Sequence, residues 1–308
     1  MKQESFGKFD FVGKVGFFGG ISLLLVVISL VYLAVKGINY GIDFSGGTEV
    51  QVKFANPVTI EQVRTVSEKA GLTAVEIQQF EGNEFVVRFQ LPEAKTEKET
   101  NELQNQAVLR LKEGITGELG AATPEYRRVD SVGPQVGAEL KRNGFLAVFY
   151  SLLVILIYVA LRFDYKYSPG AVICLAHDAI ITLAIFNFVG KEVNIPILAA
   201  ILTLIGYSLN DTIVVFDRIR ETEGMYREKG YKFIINKAIN DMLERTIITA
   251  GTTFVSALCL WIFADGTVSD IAFALAVGIA FGTYSSIYVA APFILVMEKL
   301  KILKPGAA

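Results

Sequence analysis

Six stretches of this chain are apolar for long enough to cross a bilayer. A hydrocarbon core of about 30 Å takes about 20 helical residues, and the run from Phe17 to Val35, flanked by Lys14 and Lys36, is uncharged and rich in Leu, Val and Ile. It is longer than the apolar part of a signal peptide, and no small-x-small cleavage pattern closely follows it, so it reads as a retained span. Uncharged runs from Gly144 to Leu161, Thr246 to Ala264 and Ile271 to Met297 predict three more spans. The stretches Pro169 to Val189 and Ile195 to Phe216, apolar apart from a few polar residues, complete the six.

Between the first and second spans the period changes. Thr48 to Phe54 (TEVQVKF) alternates like a strand, Thr59 to Ala70 repeats like a helix, and Val75 to Phe80 and Glu84 to Gln90 are two strands joined through Gly82-Asn83. Thr96 to Leu119 is helical and Pro124 to Val132 is a last strand. The order βαββαβ predicts an α+β ferredoxin-like domain, a small antiparallel sheet with one face under two helices. The expected division is therefore residues 1–36 as N-terminus and first span, 37–143 as the ferredoxin-like domain, 144–298 as spans two to six with a basic loop at 218–245, and 299–308 as a tail.

Basic residues orient the spans. Lys2, Lys8 and Lys14 precede span one, Arg162 and Lys166 follow span two, seven Lys or Arg lie from Arg218 to Arg245, and Lys299, Lys301 and Lys304 end the chain. The opposite side has only Lys191 in its short loops. Both termini are thus expected in the cytoplasm and the ferredoxin-like domain on the exported side, which is periplasmic in a bacterium with an outer membrane. The stretch from Arg218 to Arg245 also carries Phe233, Ile234, Ile235, Ala238, Ile239 and Leu243 at helical spacing, which predicts a helix lying along the headgroups.

Composition narrows the chemistry. Of 308 residues 52% are hydrophobic and 19% charged, and a net charge of -2 leaves no basic surplus for nucleic acid. Two cysteines and one histidine build neither a disulfide framework nor a four-ligand zinc site; Cys174 and His177 have C-x-x-H spacing, with no second pair. No metal is expected. The nearest approach to a nucleotide-binding loop, Gly7 to Lys14, has five residues between its glycines and Val15 where Ser or Thr is required, which excludes nucleotide hydrolysis.

Function is then sought among polar residues at membrane depth, where an ionisable side chain costs about 2.5 to 3.5 kcal/mol on insertion scales. Asp178 lies nine residues into span three, about 13 Å of rise. Asp211 lies six residues before Asp217 near the end of the oppositely running span four, about 9 Å of rise, so the two carboxylates fall in neighbouring layers. Such a buried acid can load and release protons, or it can fasten one helix to another. Ser208, Asn210 and Thr212 surround Asp211, and Thr249, Thr252, Thr253 and Ser256 give span five a polar flank expected to face an interior. His177 is turned about 100 degrees from Asp178 around the helix, so the pair is not expected to form a dyad. Asp217, Arg218 and Arg220 sit at the span boundary, where helix-end anchoring and loop salt bridges are the ordinary use of charge. In span six, Ala274, Gly278 and Gly282 at four-residue spacing form a seam that admits a close neighbouring helix.

These residues stand inside longer segments that carry a resemblance. FDFVGK (Phe9 to Lys14), GIDFSGG (Gly41 to Gly47), VGPQVGAEL (Val132 to Leu140), RFDYKYSPGAVICLAHDAIITLAIF (Arg162 to Phe186), IGYSLNDTIVVFDRIRE (Ile205 to Glu221) and INKAINDMLERTIITAGTT (Ile235 to Thr253) resemble, in order, the bacterial protein-export membrane proteins of the SecD/SecF family. They are most similar to its SecF members, because the first exported region of SecD is much larger. The one departure, Lys237 and Ala238 where a small polar residue and a hydroxyl are expected, touches no functional assignment.

The resemblance implies a six-span half of a bundle related to the resistance-nodulation-division transporters, completed by SecD. It implies an accessory subunit of the Sec translocon that uses the proton-motive force to promote preprotein export after SecA-driven insertion through SecYEG, with YajC as a further partner and the proton as coupling ion in place of any cofactor. A proton then supplies about 2.3 kcal/mol per 100 mV. Carried over residue by residue, the proton pathway falls on Asp178, Asn210 and Asp211, with His177, Asp217 and Arg218 beside it. Gly41, Asp43, Gly46 and Gly47 become the joint between span one and the exported domain. Two other readings remain open: a proton-coupled exporter of lipids or small hydrophobic molecules, which calls for an apolar pocket in the exported part, and a scaffold for the translocon that uses no protons.

Overall fold

The computed structural model describes residues 7–80, 82–90, 97–163 and 167–299. Lys2, Lys166, Lys301 and Lys304 of the orientation argument, and Thr96 at the expected helix start, lie outside them. Residues Tyr40–Phe145 form one compact unit and the remaining described chain another.

The first unit has the expected ferredoxin-like architecture. Its elements are a short helix α2 (Ile42–Ser45) after the first span, then β1 (Gly47–Phe54), α3 (Ile60–Lys69), β2 (Thr73–Phe80), β3 (Glu84–Gln90), α4 (Glu97–Leu119) and β4 (Pro124–Val132). The strands order β2-β3-β1-β4, all neighbours antiparallel. Alternation in β1 turns Thr48, Val50, Val52 and Phe54 inward, where the valines and Phe54 meet Phe85, Val87 and Phe89 of β3 and, from the helices, Val63, Val66, Ala107, Leu111 and Ile115. On the other face Glu49 lies opposite Arg88 and the two pair at 2.6 Å. Thr59 opens α3 with a capping box closed by Gln62, two orphan donors satisfied at once.

The GIDFSGG segment and the start of the second span explain each other. Gly46 (φ +72°) and Gly47 (φ +125°) hold backbone angles that favour glycine. A Cβ on Gly46 would lie 2.9 Å from the Pro134 backbone, and one on Gly137 would lie 2.9 Å from the Gly46 nitrogen. Gly41 has ordinary extended angles and accepts the first bonds of α2 at its carbonyl, and Asp43 sits in that first turn. Gly46 of the expected joint is therefore required by a tight backbone crossing and Gly47 by its backbone angle beside the Phe89 carbonyl, while Gly41 acts as the N-cap of a helical turn.

All six spans appear as helices long and apolar enough to cross a membrane. They are α1 (Val15–Lys36), α5 (Pro134–Arg162), α6 (Ser168–Phe188), α7 (Ile195–Met225), α8 (Gly230–Phe263) and α9 (Gly266–Ser285), the last continuing through a π turn (Ser286–Ala290) into α10 (Ala291–Lys299). Helix α5 begins ten residues before its apolar run, with Pro134 at its first position where no backbone N–H is needed. Within their most apolar windows α6, α7 and α9 are 56%, 44% and 50% buried, against 11%, 11% and 17% for α1, α5 and α8. The apolar windows of α6, α7 and α9 are thus the ones most enclosed by the bundle.

One expectation is corrected. The stretch from Arg218 to Arg245 is no separate headgroup helix: α7 runs on to Met225 and α8 starts at Gly230. Its apolar positions Tyr231, Ile234, Ile235, Ala238 and Ile239 pack inward against Phe163, Tyr167, Val215, Phe216 and Ile219. The helical period was real, but protein rather than lipid covers the apolar face.

Candidate functional site

Asp178, halfway along α6, is 1% exposed and is the hub of the bundle's polar interior. Its Oδ2 accepts hydrogen bonds from Ser208 Oγ of α7 at 2.6 Å and from Ser285 Oγ at the end of α9 at 2.8 Å. Its Oδ1 lies 2.8 Å from His177 Nδ1. One turn earlier on α6, the Cys174 thiol donates to Ser285 Oγ at 3.1 Å. Three segments therefore converge on one carboxylate, as a charge or proton in an apolar interior demands.

The seam of small residues makes this convergence possible. A Cβ on Gly278 would collide with Leu204, and one on Gly282 would lie 3.2 Å from Ser208 and 3.5 Å from Asp178 Oδ2. Ala274 lies buried on the same stripe. Gly282 thus serves packing and the polar site together, because Ser208 reaches Asp178 only where α9 presents no side chain.

The dyad that helix geometry argued against is present. Adjacent side chains leave a helix about 100 degrees apart, but His177 and Asp178 are both inside the bundle and close on each other there. The His177 ring also stacks on Tyr284 at 6.4 Å and 27°. Its Nε2 is buried without a partner among the described residues. With Nε2 protonated in both states, one further proton can sit on Nδ1, which then donates to the Asp178 carboxylate, or on the Asp178 carboxyl, which then donates to Nδ1. The pair can hold one proton in two places.

The remaining candidates are dispersed. Asp211 is buried one turn beyond Ser208 on α7 but makes no hydrogen bond to Asp178; the charge that reaches it is that of Arg245 on α8. Asn210 is exposed on the outer side of α7, so it and Asp211 do not share a face. Thr249, Thr252, Thr253 and Ser256 are likewise outward or partly outward, and each hydroxyl donates to a carbonyl one turn back on α8. The polar flank of α8 is thus held by its own backbone and by the Tyr207 hydroxyl of α7, which lies 3.0 Å from the Thr249 carbonyl and from Thr253 Oγ1, and it makes no hydrogen bond to Asp178 among the described residues. Asp217 is exposed, and Arg218 pairs with Glu221 on its own helix and bridges α7 to α8 through Asp241, each at 2.6 Å. Lys237 joins Asp241 at 3.5 Å. These charges fasten helix ends, as the ordinary reading of boundary charges expects.

Sequence reasoning missed Ser285 and Arg245 and assigned Ser208 to the wrong acid. The signal for Ser285 was available, since Gly278, Gly282 and Ser285 follow a 4,3 spacing along one face of a helix. Arg245 was counted only among loop cations, because the apolar run that followed it hid that α8 had already begun.

Comparison with known proteins adds a family to this geometry. Residues 113–300 match the family described as protein export membrane protein SecD/SecF, C-terminal, and residues 31–58 match the SecD/SecF GG motif. A protein translocase subunit SecF of Calditerrivibrio nitroreducens is 43% identical over 95% of this chain and 95% of its own length. One of Vibrio alginolyticus is 43% identical over 87% of this chain and 83% of its own. The crystal structure of SecDF, a translocon-associated membrane protein from Thermus thermophilus, superposes with a TM-score of 0.81 at 34% identity over 94% of this chain. A second SecDF structure, in a super-membrane-facing form, gives 0.68 at 33% identity. The chain spans 39% of the length of those SecDF chains.

Proposed function

The chain belongs to the SecD/SecF family of protein-export membrane proteins, and from that premise we propose that it is an accessory subunit of the Sec translocase that pairs with SecD and uses the proton-motive force to promote preprotein export. The single observation that carries the proton part is Asp178: a carboxyl group 1% exposed, shared by α6, α7 and α9, with a histidine able to exchange its proton. Losing or gaining charge there changes what Ser208 and Ser285 hold, so protonation biases the packing of three helices. Asp211 with Arg245 is the second charged step, toward the end of α7 where the basic residues concentrate. The basic distribution supports both termini in the cytoplasm, the α+β unit outside, and a bacterial inner-membrane location. SecYEG, YajC and the moving preprotein complete the proposed set of partners. No hydrolytic chemistry is assigned to this chain.

Two other readings fare differently. A recess on the α+β unit between α3 and α4 is lined by Val66 and Ala70 but also by Lys69, Arg110, Glu113 and Glu118, charges that suit a lipid or hydrophobic cargo poorly. The scaffold reading draws on the same three hydrogen bonds at Asp178, which fasten helices whether or not a proton moves. The separating experiment reconstitutes SecYEG, SecA and SecD with and without this chain and follows protease protection of a preprotein. A gradient-dependent increment that requires this chain supports the proposal; export equally raised with the gradient collapsed leaves only the scaffold.

A further inference from the structure

Helix α1 is largely exposed and packs along one face only, chiefly on α6, and it is also fastened at both ends to the elements that hold Asp178. At the end where α1 stops, Asn187 of α6, itself 7% exposed, donates its Nδ2 to the Gly37 carbonyl at 3.0 Å and accepts the Asn39 N–H at 2.6 Å. Asn39 is then held from the other side, its carbonyl accepting from Val193 N at 2.8 Å. At the end where α1 starts, the Tyr284 hydroxyl donates to the Phe18 carbonyl at 2.6 Å and accepts from Ser22 Oγ at 3.0 Å. The Phe18 ring packs on Tyr288 at 4.3 Å. Tyr284 is the residue stacked on His177, and it directly precedes Ser285, a donor to Asp178. Asn187 stands nine residues beyond Asp178 on the same helix, about 13 Å of rise.

Such a helix has only one packed face, chiefly against α6, to make it follow its neighbours. Hydrogen bonds at its two ends reinforce that contact: Tyr284 holds Phe18 within the span, where no water competes for the carbonyl, and the buried Asn187 side chain holds Gly37 and Asn39 just past its end. We propose that Asn187 and Tyr284 are positioning residues that make α1 follow α6 and α9, so that a change of protonation at Asp178 and His177 is carried along α1 to Asn39, where the chain enters the α+β unit at Tyr40. The proposal rests on the proton-coupled reading above and names the parts that turn proton occupancy into movement. It separates two properties a single site confuses: proton entry belongs to Asp178 and His177, and its use for export belongs to the fastenings of α1. Neither Asn187 nor Tyr284 exchanges a proton with the site. Asn187 spends its amide on backbone partners, and the Tyr284 hydroxyl faces α1.

The test uses the full chain co-purified with SecD and reconstituted with SecYEG and SecA in proteoliposomes. Preprotein protection is measured with ATP, with and without an imposed proton gradient, and proton entry is followed by a pH-sensitive dye. For Asn187→Ala the gradient-dependent increment of export is expected to fall about fivefold or more, the smallest change typical of a lost coupling between sites, while proton entry persists. Tyr284→Phe, which keeps the ring on His177 and deletes one oxygen, is expected to change in the same direction and carries the test if Asn187→Ala does not co-purify with SecD. A wild-type increment in both variants overturns the proposal, and so does proton entry that falls in step with export. An increment intact in Asp178→Asn refutes the underlying proton reading separately.

Discussion

The segment ahead of α1 offers a local perturbation whose size follows from geometry. Asn236 on α8 is wholly buried and grips the backbone of residues 9–12. Its Nδ2 donates to the Phe9 carbonyl at 2.9 Å, and its Oδ1 accepts from Phe11 N at 2.7 Å and Val12 N at 3.1 Å. Asn240, one turn on, holds Phe9, accepting from its N–H at 2.9 Å and donating to its carbonyl at 2.8 Å. At a net contribution of about 1 kcal/mol for each hydrogen bond, Asn236→Ala removes about 3 kcal/mol from the closed state of this strap. That is about a hundredfold in its opening equilibrium. Amide hydrogen exchange in detergent or nanodiscs reads this directly: the Phe11 and Val12 amides are expected to exchange about a hundredfold faster, whereas Phe9, still held by Asn240, changes less. Asn240→Ala reverses the pattern, freeing Phe9 first. Unchanged exchange at Phe11 and Val12 in Asn236→Ala would refute the reasoning.

Gly278→Val places a branched side chain against Leu204 where even a Cβ collides, and overpacking of this kind costs about 1 to 3 kcal/mol. With the exposed Cys259 replaced by serine, the buried Cys174 thiol is the one left to react with a maleimide, and its labelling during heating reports bundle opening, expected at lower temperature in the variant. In the α+β unit, burial lifts the Tyr126 phenol above the usual tyrosine value, against a smaller opposing effect of Thr116, and its hydroxyl donates to the Lys112 carbonyl at 3.1 Å. A raised native value means that this stabilisation is complete below the ordinary pKa of about 10 and is lost as pH rises through the native one. Denaturant unfolding of the unit is therefore expected to weaken above about pH 10, and to weaken less in Tyr126→Phe.

What the sequence disclosed depends on which physical demand each residue answers. Lipid requires a long uncharged helix and a sheet face requires alternation, so the runs from Phe17 and from Thr48 announce their elements directly. The start of α8 was hidden because Tyr231 and Ile235 have the spacing of any amphipathic helix, and only their packing on Phe216 and Ile219 distinguishes protein from headgroups. Asp178 was legible as a costly residue in an apolar run, yet its partners were not: Ser208 and Ser285 lie 30 and 107 residues away in sequence. Asn187 and Tyr284 were less visible still, since they act on main-chain carbonyls of Gly37 and Phe18, and such a carbonyl has no sequence signature. Asn210 misled for a related reason. Adjacent residues on a helix point different ways, and the polarity of the Asn-Asp pair gave no hint that only Asp211 turns inward.

The central claim is that proton exchange at Asp178 drives part of export. Its most direct measurement is preprotein export into vesicles carrying Asp178→Asn, matched for expression and for co-purification with SecD, with the proton gradient imposed or collapsed. The amide keeps the shape of the carboxylate and at least one acceptor for Ser208 or Ser285, but it takes up no proton. The account predicts that assembly and the ATP-driven part of export persist while the gradient-dependent part disappears. Gradient-dependent export at the wild-type level in Asp178→Asn would contradict it.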